Sequence, residues 1–462
     1  MLRKALLVFS GNAAASLLSL VRNLLIARLL SVEDYGIAAT FAVVMTLIEM
    51  ATALGLQVQI VQAADGDDPD FQASVQGFQL MRGVAAAMIL FLAAGAIAQF
   101  LKLPELAWAY RVVALVPLVN GLVHFDIYRM NRQMQFRPMI LSNLVPMVLT
   151  LLLVWPLVQW LEDWRAMLAV ILIQVVTTTA VSHLVAVRPY RLKLDPIRMR
   201  QSLDFGWPLL ISNALLFLVF QGDRALVARE LGPETLAIFS MGVTLTLTPT
   251  LVMAKTLQNL FLPRLSRETD PTRFAAMSVA TMQGAMLNAS VMLVGVYFLA
   301  PPLILTVLGE KYLPLIQILG ALAVVQALRV LKTGGNVVAL SRGQTGNTTM
   351  SNAFRVAALP VIWWQLAQGN GLDQVILWAA VGEAAGYAAS LALVRWRLGL
   401  SLRAMFAPLA LSVAIMSVCA GLFPFSDTSW QAAALMGLFI VQLASMSALR
   451  HWIARHFRPK KA

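Results

Sequence analysis

The sequence has one cysteine, Cys419, among 462 residues. That excludes an intramolecular disulfide and any multi-cysteine metal site. Cys419 lies inside an apolar run and reads as a small buried hydrophobe. Histidine occurs only at positions 124, 183, 451 and 456, too scattered to suggest a metal site, and no cofactor is implied. The P-loop pattern G-x-x-x-x-G-K-[ST] is missing: Gly343-Gln344-Thr345-Gly346 lacks the lysine, so ATP hydrolysis through such a loop is excluded. There is neither a His-Glu-x-x-His zinc motif nor a serine elbow, and no catalytic residue is assigned. Charge is also scarce, at 12% of residues, where a soluble domain carries about 25%.

What fills the chain is apolar. Hydrophobic residues make up 59% of it. Runs of roughly 20 apolar residues, each able to cross ~30 Å of hydrocarbon, recur from end to end. No segment between them is long enough to fold as a separate soluble domain. The expectation is an all-α polytopic membrane protein of about fourteen spans. They fall near 8–30, 36–62, 76–101, 106–128, 138–160, 164–187, 205–229, 235–262, 275–299, 313–339, 347–366, 373–395, 403–422 and 429–450. The start resembles a signal peptide. Its apolar stretch, however, runs on to Leu30 and contains Arg22, so it reads as an uncleaved first helix.

The net charge of +13 would suggest nucleic acid in a soluble chain. Here retention of basic loops in the cytoplasm accounts for it, and no nucleic-acid partner is expected. With the N-terminus inside, the inner loops include 128–137 with three arginines and 188–200 with five basic residues. Residues 264–273, Arg342, 395–403 and a tail from Arg450 to Lys461 join them, while the outer loops are short and poor in Lys and Arg. Both termini are therefore placed in the cytoplasm. One inner loop dissents: Asp65-Gly66-Asp67-Asp68-Pro69-Asp70 is acidic.

The chain also repeats. Setting residue i against i+201 over positions 12–37 aligns nine identities, including Ala27-Arg28-x-Leu30-x-x-Glu33 with Ala228-Arg229-x-Leu231-x-x-Glu234. Six helices separate the copies, so both point the same way. Two parallel six-helix halves are expected, 1–200 and 201–400, with a substrate cavity between them. Residues 401–462 then supply two extra helices and the basic tail.

At this point a resemblance enters. Arg22-x-x-x-x-x-Arg28-Leu-Leu-Ser-x-Glu-Asp34-Tyr35-Gly36 is similar to the first-helix signature of the polysaccharide transporter (PST, Wzx-type) flippases. These belong to the multidrug/oligosaccharidyl-lipid/polysaccharide exporter superfamily. Leu54-Gly55-Leu56, Arg132-Gln133-Met134-Gln135-Phe136-Arg137, Gly206-x-Pro208…Asp223-Arg224…Leu231-Gly232 and Leu308-Gly309-Glu310-Lys311-Tyr312-Leu313-Pro314 fit the same pattern, in order and over the whole length. The resemblance implies a fourteen-helix alternating-access protein of the bacterial inner membrane. It would move undecaprenyl-pyrophosphate-linked oligosaccharides outward for O-antigen, capsule or exopolysaccharide synthesis, driven by ion gradients or membrane potential. Membrane lipids, a polysaccharide polymerase and glycosyltransferases are the implied partners. His124 and Asp126 have no counterpart in the pattern.

An ion at mid-bilayer costs about 2.5–3.5 kcal/mol on insertion scales. The apparent ones are Arg22, Glu49, Asp126, Asp223, Arg224, Lys255, Arg329, Lys332, Arg355 and Glu383. They must face one another, a wet cavity or the membrane surface. Guanidinium binds phosphate oxygens in bidentate fashion, so Arg22, Arg224, Lys255 and Arg329 are the substrate-binding candidates. Glu49, Asp126, Asp223 and Glu383 are the ion-coupling candidates. Each has a structural alternative. Glu49 could simply pair with Arg22, Arg329 and Lys332 could snorkel to the surface, and Gly382-Glu383-Ala384-Ala385-Gly386 could mark close helix packing. Rival functions are a lipid II flippase, a multidrug or cation exporter of the same superfamily, and a membrane-embedded glycan enzyme. The absence of a long outer loop argues against the last.

Overall fold

A computed structural model describes residues 2–421 and 428–456. The end of the thirteenth expected span and the tail from 457 through Lys461 lie outside the described residues. The described chain is helical, and every expected span falls on helix: α1 Leu2–Leu29, α2 Val32–Thr52, α3 Leu56–Gln62, α4 Pro69–Phe100, then a broken segment of α5 Ala107–Val113, α6 Leu115–Gly121 and α7 Asp126–Arg132. There follow α8 Arg137–Leu161, α9 Arg165–Leu184, α10 Pro196–Arg267, α11 Pro271–Leu303, α12 Leu313–Leu340, α13 Gly346–Ala367, α14 Leu372–Leu398, α15 Phe406–Cys419, α16 Thr428–Ser445 and α17 Ser447–His456.

Among the described residues, eight helices are long and apolar enough to cross a membrane, or ten if each of two bent pairs counts as one span. The difference from fourteen has local causes. α10 carries the seventh and eighth expected spans on either side of Gly232, whose φ of 81° is non-helical. The fourth expected span bends by 50° between Gly121 and Asp126. α15 has only 14 residues. Large side chains such as Leu92, Leu152, Leu299 and Trp160 are exposed, as a lipid-facing surface requires.

Contacts divide the chain into two compact units, Met1–Ala237 and Ile238–Ala462. The first part of α10, beyond the repeat boundary expected at 200/201, belongs to the first of these units. Its residues pack with the first unit: Ser202 donates to Gln59 Oε1 (2.8 Å), Asn213 Nδ2 to the Ala53 carbonyl (3.3 Å), and Glu230 pairs with Lys102 (2.7 Å). The motif residue Gly206 lies against the carbonyl of Leu54, itself a motif residue. In the second unit, Phe261, Met286, Ala327, Val330, Val338 and Ile415 belong to one buried apolar cluster.

The loops of the first unit sort into two sets. Asp67 accepts from Arg132 (3.3 Å) and Gln133 (2.8 Å), Asp68 pairs with Arg198 (3.0 Å), and Asp70 with Lys193 (2.7 Å). The dissenting acidic loop therefore sits among the two most basic loops and offsets their charge. The Arg198 hydrogen bond holds the Asp68 carboxyl below its ordinary range, and the Asp70 hydrogen bond raises the Lys193 ammonium. In the other set, Asp34 accepts from the Trp164 backbone N–H (3.2 Å), and Arg229 donates to the Phe100 carbonyl (2.8 Å).

The repeat signatures meet directly. A Cβ on Gly36 would stand 1.8 Å from the Pro233 carbonyl oxygen. Only glycine allows that backbone approach, whereas Gly95 has nothing within 4 Å. Gly36→Ala is expected to lower stability by about 1–3 kcal/mol, read as a fall in melting temperature in detergent. Gly95→Ala should leave the melting temperature unchanged or raise it; equal effects from the two would refute the tight contact.

Candidate functional site

The first site lies in the first unit. Arg22, three-quarters of the way along α1, is 9% exposed. Its guanidinium donates to Gln174 Oε1 on α9 and, at 3.5 Å, to Thr150 Oγ1 on α8. Its Nε has no partner among the described residues. Both partners are neutral, and Glu49, the alternative partner suggested by sequence, is not one of them. The buried phenol of Tyr35 on α2 lies in the field of both Arg224 and Arg22. Arg224 Nη1 also donates to Gln221 Oε1 (3.2 Å). Asp223 precedes it on α10, half-buried.

Glu49 belongs to a separate polar cavity of about 290 Å³, lined by Thr52, Gln79, Arg82, Asn120 and Tyr128 among others. Asn120 Nδ2 donates to Glu49 Oε1 (3.3 Å), while Arg82 donates to Gln79 Oε1 (3.1 Å) and Thr52 Oγ1 (2.9 Å). Arg82 was missed by sequence reasoning. The available signal was an arginine seven residues inside the third expected span.

Asp126, an ion-coupling candidate by sequence, is held in a hydrogen-bonded network. Its Oδ1 accepts from Arg129 Nε (2.5 Å), and its Oδ2 accepts the backbone N–H groups of Val187 (2.8 Å) and Arg188 (3.2 Å). Fully buried and engaged through both oxygens, it staples the 185–195 segment to α7. The motif residue Arg132 has a similar structural task, donating to the carbonyls of Val61 (2.9 Å), Ala63 and Ala64 (3.3 Å).

The second site lies in the second unit, where α12, α13 and α14 converge. Gly386 presses against the Ser351 carbonyl, where a Cβ would stand only 2.4 Å away, and Gly382 against Ala358. This small-residue face brings Glu383, with no exposed surface, among three cations. Arg329 reaches Oε1 at 2.8 Å, Lys332 reaches Oε2 at 2.8 Å, and Arg355 Nε stands 3.6 Å from Oε1. Lys332 also donates to Asn352 Oδ1 (2.8 Å), and Arg329 to Gln326 Oε1 (3.2 Å). Arg329 and Glu383, assigned different tasks from sequence, are one cluster. Lys332 does not snorkel: it is 4% exposed. Three formal positive charges face one negative, and both Glu383 oxygens are occupied. Lys255, on α10, is exposed and makes no hydrogen bond or ion pair among the described residues.

These arrangements hold cationic side chains in a helical membrane scaffold with few carboxylates to balance them. The family described as polysaccharide biosynthesis protein matches residues 25–317. The chain belongs to this family. It is 23% identical over 304 residues to the teichuronic acid biosynthesis protein TuaB of Bacillus subtilis (strain 168), covering 63% of this chain and 61% of TuaB. It is 25% identical over 310 residues to the succinoglycan biosynthesis transport protein ExoT of Rhizobium meliloti (strain 1021), covering 65% of this chain and 60% of ExoT. The matches thus span about three-fifths of each relative's length. Among solved structures, the lipid II flippase MurJ in an inward closed conformation has the same fold. The TM-score is 0.74 at 13% identity, over 98% of this chain and 100% of that one. The family resemblance read from Arg22 to Gly36 and its companion motifs is borne out, as is the polytopic all-α fold.

Glu383 is the carboxylate that lets three cations lie side by side. Glu383→Gln is expected to destabilise by about 3–5 kcal/mol, because it leaves buried cations without a counter-charge. Lys255→Ala should leave the stability within about 0.5 kcal/mol of wild type. A Glu383→Gln protein that melts like wild type would refute the cluster.

Proposed function

We propose that this protein is a flippase that carries polyprenyl-pyrophosphate-linked oligosaccharide units across the bacterial inner membrane by alternating access, supplying surface polysaccharide synthesis. The observation that carries the reading is Arg22. It is a buried guanidinium in the first expected span, held by an amide and a hydroxyl rather than by a carboxylate. A cation kept at that cost without a balancing anion suits a cargo that brings its own negative charge. Arg224 near the same Tyr35, and the cation excess around Glu383, support the same cargo chemistry. The names of TuaB and ExoT, one for teichuronic acid biosynthesis and one for succinoglycan transport, support a glycan cargo. No bond is made or broken in this reading, so the protein is a transporter rather than an enzyme. Arg22, Arg224, Lys255 and Arg329 are the proposed headgroup contacts. Glu49, open to its own cavity, and Asp223 remain the proposed ion-coupling groups. The two six-helix repeats are proposed as the moving parts.

The basic loops 128–137 and 188–200 are proposed to face the cytoplasm, with both termini. The acidic loop 65–70 supports this because its charge is spent on those basic neighbours.

The test is a lipid extract from cells lacking the protein, read by mass spectrometry beside the surface glycan. Polyprenyl-pyrophosphate oligosaccharide should accumulate while surface glycan falls. Lys255→Ala and Arg22→Ala, at wild-type protein levels, should each lower export about tenfold or more, the scale of one lost charge-assisted phosphate contact. Unchanged pools together with new sensitivity to cationic drugs would overturn the reading in favour of an exporter.

A further inference from the structure

We propose that a groove between the end of α14 and the start of α15 binds the headgroup of an anionic phospholipid. The groove is a cavity of about 580 Å³, and its lining includes Leu391, Arg395, Leu402, Arg403, Phe406 and Leu409. That volume lies within the roughly 300–1,000 Å³ of small-molecule sites.

Its chemistry is divided. Leu391, Leu409 and Phe406 supply an apolar wall, and Arg395 and Arg403 supply two guanidinium groups. Neither arginine makes a hydrogen bond or ion pair among the described residues, and both are exposed. Their neighbour Arg397 shows the contrast: it donates to Asn347 Oδ1 at 2.6 Å and Gln344 Oε1 at 3.4 Å. Arg395 and Arg403 are therefore available where Arg397 is not.

The groove is built rather than loose. Gln283 Nε2 donates to the Ala404 carbonyl (3.0 Å) and fixes the turn that carries Arg403. Leu400 and Met405 are buried in the core of the second unit and form the floor. The first turn of α15 adds the positive end of its helix dipole. Phe406 in the lining and Trp396, next to Arg395 in the chain, are 68% and 78% exposed, as aromatic residues are at headgroup level.

An apolar wall with two free guanidiniums at the membrane surface complements a phosphodiester attached to acyl chains. Basic pockets between transmembrane helices bind anionic headgroups for this reason. The bidentate fork of arginine matches phosphate oxygens, and a zwitterionic lipid, which brings its own cation, gains less. The site is separate from the proposed cargo contacts and uses none of their residues.

The experiment is native mass spectrometry of the intact purified protein after exchange into phosphatidylglycerol or phosphatidylcholine. Phosphatidylglycerol should be retained preferentially by wild type. The Arg395→Ala/Arg403→Ala protein should lose that preference by about tenfold or more. Arg395→Lys/Arg403→Lys, which keeps the charge but not the bidentate fork, should keep part of it, which separates lost charge from misfolding. Equal retention of the two lipids, or an unchanged preference in the alanine protein, overturns the proposal. So does efficient displacement of phosphatidylglycerol by polyprenyl phosphate, which would assign the groove to cargo. Lipid retention can fail while glycan export persists, and the reverse, so this proposal and the flippase reading fall separately.

Discussion

Everything in this molecule answers to the cost of an ion in hydrocarbon. With no water to solvate it, a charged side chain within a span must find its partners inside the protein. The Glu383 cluster is the fullest solution. Three cationic side chains on α12 and α13 share the Glu383 carboxylate on α14, and Gln326 and Asn352 take further donors of Arg329 and Lys332. Removing the carboxylate leaves the three cations without their shared counter-charge, so Glu383 ties α12, α13 and α14 together.

The backbone makes that block possible. Apolar attraction between helices is weak in lipid, and close packing replaces it. Gly382 and Gly386 let α14 approach α13 closely enough for a buried arginine and a buried glutamate to come within 3.6 Å. Gly36 plays a comparable part where it meets the Pro233 carbonyl. Family motifs that look degenerate as sequence thus have distinct structural tasks: Gly36 and Gly206 admit close backbone contacts, Arg132 clamps a loop, and Arg22 carries charge.

Much of this was legible in the sequence for simple reasons. Span positions follow from apolar run length, a local property. The small-residue pattern around Glu383 announced a packing face. Pairings did not follow, because they join distant segments: Arg22 with Gln174, Asp126 with Val187, Lys332 with Glu383. The contacts of Asp126, with an arginine one turn away and a loop 61 residues on, were among those the sequence did not announce. The acidic loop 65–70 looked like an exception to the charge rule because its basic partners lie beyond the next helices. Arg82 was overlooked because it stands near the start of its span, where snorkelling is the ordinary expectation.

The sign of the imbalance is what joins fold to function. Buried ion pairs in equal number would stabilise or orient helices without implying any ligand. Among the described residues, three cations face Glu383, and Arg22 is held by neutral groups. Neutral partners satisfy the hydrogen-bond donors of a guanidinium but leave its charge, so its field still favours an anion and repels a cation. That repulsion is half of specificity: a site discriminates by what it rejects as well as by what it holds. A scaffold shared with proteins of other cargo could thus be committed to anionic substrates by a few unbalanced arginines and lysines, without changing its helices.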